Sequence, residues 1–274
     1  MELANLWLTQ HGVPDGIRVA ARSDAGGILR LLQTAVYTHL HADWRLPGDW
    51  IGAPGFVVLP GPEKPTNRNS LTAVLFPKRT DMLACLAAAP DPLPAAWVRV
   101  AAIYQADQTG PLLAQMLASV VPALQKQGVP QIAWLTVDTW PNPWLPQLGF
   151  YRGSQIETFV KEDRDLPPVA DVPGLAIRSV YSTDFEALAR LEAASFAAIW
   201  RQSAQALAVA RPQSLSFDVA LLEDKIVAYQ LSAPSDNGAH LVRLTVHPDK
   251  HGLGIGSALL KHAIEHYHRK GFYA

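Results

Sequence analysis

The sequence predicts a mixed α/β chain, an α+β sheet flanked by helices, repeated as two tandem domains. Three observations carry this. The chain has 274 residues, 49% of them hydrophobic, which at about 100–200 residues per domain fits two domains, each with its own core. An opening pattern recurs: Ile17, Arg18, Asp24, Ile28, Arg30 and Leu31 return at one constant offset as Ile177, Arg178, Asp184, Leu188, Arg190 and Leu191. Near the end, a β run enters a turn with three alternate glycines that opens a helix.

Composition excludes several classes of function. Lys plus Arg is 23 and Asp plus Glu is 24, a net charge of −1. No basic excess exists to grip a phosphate backbone, so nucleic acid is not an expected partner. The one thiol, Cys85, can make neither an internal disulfide nor a Cys-based zinc site. No apolar run reaches the ~18 residues of a membrane span, and the start lacks a basic n-region. No membrane partner is expected, and the expected compartment is the cytoplasm. The halves differ in decoration. Of the 8 Trp only Trp200 lies after residue 165, while His residues crowd between His240 and His268.

The elements follow in order. In the first domain, 1–162, a strand near Ile17 leads to Asp24, placed to N-cap an amphipathic helix. Leu71–Phe76 and Trp97–Tyr104 read as strands. Between them Cys85 lies in an apolar run, 82–88, read as helical, with Cys85 as a small buried residue. Leu112–Gln127 is a helix ended by Gly128. Strands at Gln131–Val137 and Gln155–Val160 flank an irregular segment from Asn142 to Arg152. Residues 163–174, charged and then rich in Pro, read as a linker.

The second domain, 175–274, repeats the strand and an Asp184-capped helix reaching 197. A helix at Ser203–Ala210 follows. Ser214–Leu222 and Lys225–Ala233 form a hairpin turning at Glu223-Asp224, and Leu241–Val246 is a third β run. The last helix, Gly256–Lys270, carries an apolar stripe of Leu259, Leu260, Ala263, Ile264 and Tyr267. Gly271 stops it, and 272–274 reads as the start of another strand. The counterpart of 128–161 is missing, so this domain is expected to lack its last strands and helix. Either the sequence is a piece of a longer one, or the fold is completed from elsewhere.

The glycine turn carries the chemistry. Val246-His247-Pro248 leads into His251-Gly252-Leu253-Gly254-Ile255-Gly256-Ser257. Glycines allow close backbone approach, and the open N–H groups of a helix start favour phosphate oxygens. A Walker loop would need Lys after its last glycine, and a Rossmann fingerprint a different spacing plus a later acid. Neither is present.

Strand, Val-x-Pro and the spaced glycines together resemble motif A of the GNAT N-acetyltransferase superfamily, with His251 in the usual Gln/Arg place. The resemblance is strongest over 176–274 and weaker over 17–161, where Asn142 to Leu148-Gly149-Phe150 resembles the late Asn…Leu-x-Gly-Phe segment. It implies acetyl-CoA as cosubstrate. The pyrophosphate would lie on the loop His251, Gly252, Leu253, Gly254, Ile255, Gly256 and Ser257, and the pantetheine on the backbone of Leu244, Thr245 and Val246. In the first copy the loop after Tyr104 has a single glycine, Gly110, so that copy is expected to be degenerate. One working and one worn copy is an architecture similar to that of mycothiol synthase.

The resemblance implies acetyl transfer to a primary amine of a small-molecule or protein acceptor. The alternative is a non-catalytic acyl-CoA-binding module that senses or scaffolds. His240, at the head of the strand before the motif, is the candidate general base. Arg243 and Tyr229 either line an acceptor pocket or are ordinary strand residues. The family's usual general acid would fall beyond Ala274. His262-Ala-Ile-Glu265-His266 spells an inverted zinc-peptidase pattern, but reads as a solvated helix face, and no metal is expected. Trp134, Trp140 and Trp144 wall an acceptor groove, pack a core or form a homodimer interface; sequence leaves these open.

Overall fold

A computed structural model describes residues 16–61, 82–235 and 238–272. They form two compact units, Met1–Gly153 and Ser154–Ala274. In the first, β1 (Arg18–Val19), α1 (Ala25–Thr34), β2 (Tyr37–Leu40), β3 (Phe56–Pro60), β4 (Met82–Pro90), β5 (Ala95–Ile103), α2 (Thr109–Lys126) and β6 (Gln131–Ala133) follow in order. The sheet runs β1-β3-β4-β5-β2. One edge of β5 is shared by two strands. Antiparallel β2 lies along Val100–Ile103, and parallel β6 along Ala95–Trp97.

Both faces of this sheet are covered. Ala84, Leu86 and Ala88 pack with Leu113, Met116 and Val120 of α2. Met82, Cys85 and Ala87 pack with Ile28 and Leu31 of α1 and with Trp50. This corrects the helical reading of 82–88. A strand buried on both faces is apolar at every position, so periodicity cannot separate it from a buried helix. Burial pushes the Cys85 thiol up to about 12, which suits a core residue and not a nucleophile.

Other sequence expectations change here. The strand at Gln131–Val137 is confined to β6. Residues 155–160 form no strand, and Ile156, Phe159 and Val160 are exposed. Leu71–Phe76 lies outside the described residues.

The His41 ring stacks on Trp97 at 4.9 Å, and its Nδ1 is buried without a partner among the described residues. Burial first, then the charge of Arg99 and then His39, push its pKa down to about 3. A base whose folded pKa is depressed binds fewer protons folded than unfolded. Stability should therefore fall as pH drops from ~6.5 towards 3. Denaturant unfolding across that window should show the slope, and His41→Phe should flatten it. An unchanged slope in the variant would sink the assignment.

The second unit comprises β7 (Leu175–Ser179), α3 (Phe185–Ser195), α4 (Ala204–Ala210), β8 (Ser216–Leu222), β9 (Lys225–Ser235), β10 (Gly238–Val246) and α5 (Ile255–Arg269). Its sheet is antiparallel, in the order β10-β9-β8-β7. The β8–β9 hairpin turns on Glu223 and Asp224, with φ of 50° and 62°, as a two-residue turn matched to strand twist requires. Helix α5 covers the face carrying Ala228, Leu244 and Val246 through Ile255 and Leu259. Helix α3 meets the opposite face, which carries Tyr229 and Thr245. Of the expected linker, Val172 packs into this core and its carbonyl accepts the Leu175 N–H at 3.1 Å.

The repeat seen in sequence has structural counterparts. Arg18 grips both oxygens of Asp24 at 2.6 and 2.7 Å, and Arg178 grips those of Asp184 at 2.7 and 3.1 Å. The same carboxylates accept the N–H of Ala21 and Tyr181. Neither Asp caps its helix as expected: each already has helical backbone angles, so its side chain reaches back to the strand. The arginine hydrogen bonds hold both carboxyls below the usual range.

Two further features recur. One residue is bulged out of β5 at Arg99 and one out of β10 at Val242. Helices α2 and α5 both follow a left-handed residue, Gln108 and Gly254, and both end at a left-handed glycine, Gly128 and Gly271.

Candidate functional site

The site is built from the edge of β10 and the turn into α5. The His247 N–H donates to Val227 O at 2.8 Å, which fixes the phase of the ladder. Thr245 and Arg243, two and four residues back, direct their backbone to β9. Leu244 and Val246 therefore direct their N–H and C=O away from the sheet. Among the described residues no strand pairs with that edge. The Val246 carbonyl accepts the Ser195 hydroxyl at 3.3 Å and lies 2.9 Å from His251 Nε2. Of the three strand residues singled out from sequence, two thus face outward and Thr245 does not.

Past a short turn at Pro248–Lys250, Gly252 and Gly254 adopt φ of +77° and +82°. A side chain in this region costs roughly 1–2 kcal/mol. Gly254 sits at the N-cap of α5, and its carbonyl accepts the Ala258 N–H at 2.9 Å. The N–H groups of Ile255, Gly256 and Ser257 in the first turn are left to an external acceptor. Ile255 is buried and pins the turn to the core, while Leu253 is exposed. Gly256 is different: its φ is ordinary, and a Cβ there would meet Val246 Cγ2 at 3.4 Å.

On the opposite face lies a group that sequence reasoning missed. Glu192 is fully buried. Its carboxylate accepts from Tyr229 Oη at 2.6 Å, Thr245 Oγ1 at 3.0 Å, Arg243 Nε at 3.1 Å and the Gln202 N–H at 3.0 Å. Arg243 Nη2 closes on the second oxygen. That Arg also donates to Trp200 O at 2.6 Å and lies over the Phe196 ring at 3.7 Å. Burial, and then the Glu192 charge, raise the Tyr229 hydroxyl well above its ordinary range. Tyr229 and Arg243 are thus both committed to the Glu192 carboxylate. A signal was available: Glu192 falls on the stripe of Leu188 and Leu191, where an acid needs partners.

His240 is exposed on β10 opposite Ala233. The bulge at Val242 re-phases the strand, so His240 shares the face of Arg243. On α5, His262 and His266 are half-buried and not fully solvated. His262 Nε2 lies 3.8 Å from Asp218, whose carboxylate also accepts from Ser179 and Gln230.

Residues 177–274 match the acetyltransferase (GNAT) family model. Two solved structures match nearly the whole chain. A GCN5-related N-acetyltransferase from Sphaerobacter thermophilus, 16% identical, has a TM-score of 0.53 over 95% of this chain and 85% of its own. Another from Kribbella flavida, 15% identical, has a TM-score of 0.57 over 91% of this chain and 60% of its own. The ribosomal-protein-S18-alanine N-acetyltransferase of Escherichia coli, 25% identical, matches 36% of this chain with a TM-score of 0.33, and 62% of that protein's length is spanned. No curated protein matches the sequence. The chain has the mixed α/β fold of the two long matches, and its second unit carries the acetyltransferase family's sequence pattern.

Proposed function

We propose that this chain is an N-acetyltransferase, moving the acetyl group of acetyl-CoA to a primary amine of a small-molecule or protein acceptor. The supporting observation is the continuity of two docking features in the second unit. The outward backbone of Leu244 and Val246 runs directly into the loop His251–Ser257 at the start of α5. A pantetheine arm carries amides and suits a strand edge. A pyrophosphate suits N–H groups at a helix start. Both belong to one ligand.

In the reaction the amine nitrogen attacks the thioester carbonyl carbon and the C–S bond breaks. CoA leaves as a thiolate and takes up a proton, while the amine nitrogen loses one. An outward N–H of β10 stabilises the oxygen as charge develops there. An alkylammonium with pKa ~10.4 must first give up a proton. His240 is assigned as the base that receives it, from its exposed place on the Arg243 side of β10. Tandem use of the fold gives one working copy, the second, beside a degenerate first.

Calorimetry with acetyl-CoA, followed by thiol release across a panel of primary amines, tests this reading. Saturable binding with acceptor-dependent release is the expected result. Binding with no release for any amine would leave a non-catalytic module instead.

A further inference from the structure

The two units give opposite answers to one question: what lies along the outward edge of the strand before the helix. In the first unit, His41 N–H donates to Arg99 O at 2.9 Å. By alternation Ala101 and Ile103 point their backbone at β2, where His39 and Tyr37 stand opposite them. Counted from the bulges at Arg99 and Val242, Ala101 corresponds to Leu244 and Ile103 to Val246. The groups that face outward in the second unit are therefore paired within the chain in the first. Trp140 Nε1 fastens that strand through Thr38 O at 2.8 Å, and Tyr37 stacks on Trp140 at 5.1 Å.

The offset of the sequence repeat places Tyr37–Leu40 in register with Ala197–Trp200. In the second unit that segment is a tight helical turn, not a strand, with Trp200 N–H on Ala197 O at 2.9 Å. What differs is what holds it. Arg243 takes Trp200 O, Glu192 takes the Gln202 N–H, and the two are paired to each other. Their counterparts in the first unit are Val100 and Leu32, which offer neither a donor nor an acceptor.

We infer that the Glu192–Arg243 pair is a strut that keeps the 197–200 segment off the β10 edge. It thereby holds open the slot that the first unit fills with its own β2. Both are positioning residues, and the role assigned to the slot rests on the proposed acetyl-CoA reading. The strut itself does not. Without it the segment can extend and take the Leu244 and Val246 backbone for itself, as β2 takes that of Ala101 and Ile103.

Residue-resolved amide hydrogen exchange on the full chain tests this. In the native protein Ala101 and Ile103 should be protected, and Leu244 and Val246 should exchange on the order of ten-fold faster or more. The double variant Glu192→Leu/Arg243→Val copies the first unit, and removing both charges avoids stranding either. It should protect Leu244 and Val246 and weaken CoA binding about ten-fold. Adding Ile199→Pro, in the place of His39, removes a ladder donor and should restore both. Simple loosening of the fold would speed exchange, not slow it.

A double variant that melts cooperatively yet keeps fast exchange at both residues overturns the strut. So does slow exchange at Leu244 and Val246 in the native protein. If the double variant does not melt cooperatively, Arg243→Met alone carries the same test with the same expected protection. Native exchange behaving as expected in a chain that binds no CoA would overturn the proposed function and leave the strut standing.

Discussion

Gly254→Glu is expected to weaken acetyl-CoA binding by on the order of 100-fold or more, at a folding cost of no more than roughly 1–2 kcal/mol. Two costs combine. Gly254 has a φ of +82°, where any Cβ raises the energy of the native turn by roughly 1–2 kcal/mol. The new carboxylate would also stand beside the N–H groups of Ile255 to Ser257, where the pyrophosphate is proposed to lie. It satisfies those donors itself and repels the incoming phosphate, which adds a few kcal/mol at close range in a partly shielded site. A loss of about 3 kcal/mol is already a factor above 100 in affinity. Packing does not oppose the substitution, since the nearest atom to a Cβ there is Val172 Cγ2 at 3.5 Å.

Two controls separate the terms by calorimetry. Gly254→Ala keeps the backbone cost alone and should lose about ten-fold or less. Gly256→Ala has no positive φ and should bind within a few-fold of the native chain. Equal affinity of the native protein and Gly254→Glu would remove the loop from the site.

How much of this was legible follows from what each residue reports locally. The second-unit hairpin is readable because Glu223-Asp224 breaks two strand-like, largely apolar runs with two polar residues, a local signal with a local cause. The helix start at Gly254 was readable for the same reason: only a backbone demand explains glycines at 252 and 254. The apolar run 82–88 reads as helical although it lies in a strand, because burial on both faces erases the period that distinguishes the two.

Strand β2 carries little signal in sequence. Tyr37–Leu40 is four residues long, and its pairing with β5 crosses a large stretch of sequence. Ile156, Phe159 and Val160 carried a strand-like pattern without a partner strand to complete it, and pattern alone does not make a ladder. The bulge at Val242, which sets the side on which His240 stands, depends on a register against β9 and leaves no mark in composition.

Glu192→Ala should cost the chain about 3–5 kcal/mol, seen as an early unfolding transition of the second unit. The size follows from what is left behind and not from what is removed. Four residues on two strands and one loop, Tyr229, Thr245, Arg243 and Gln202, donate to this one carboxylate. Tyr229 is fully buried and Thr245 nearly so, so water cannot readily replace the acceptor they lose. Arg243 would keep its charge at 16% side-chain exposure, with Trp200 O as a remaining acceptor. Removing one member of the buried pair strands the other's charge, whereas replacing both leaves only the neutral donors of Tyr229, Thr245 and Gln202 without their acceptor, a smaller cost.

The expected order of stability is therefore native, then Glu192→Leu/Arg243→Val, then Glu192→Ala, a ranking that an additive contact count would not give. Denaturant unfolding of the three proteins measures it. If the double variant is less stable than Glu192→Ala, the cost does not lie in the stranded Arg243 charge, and that account is wrong.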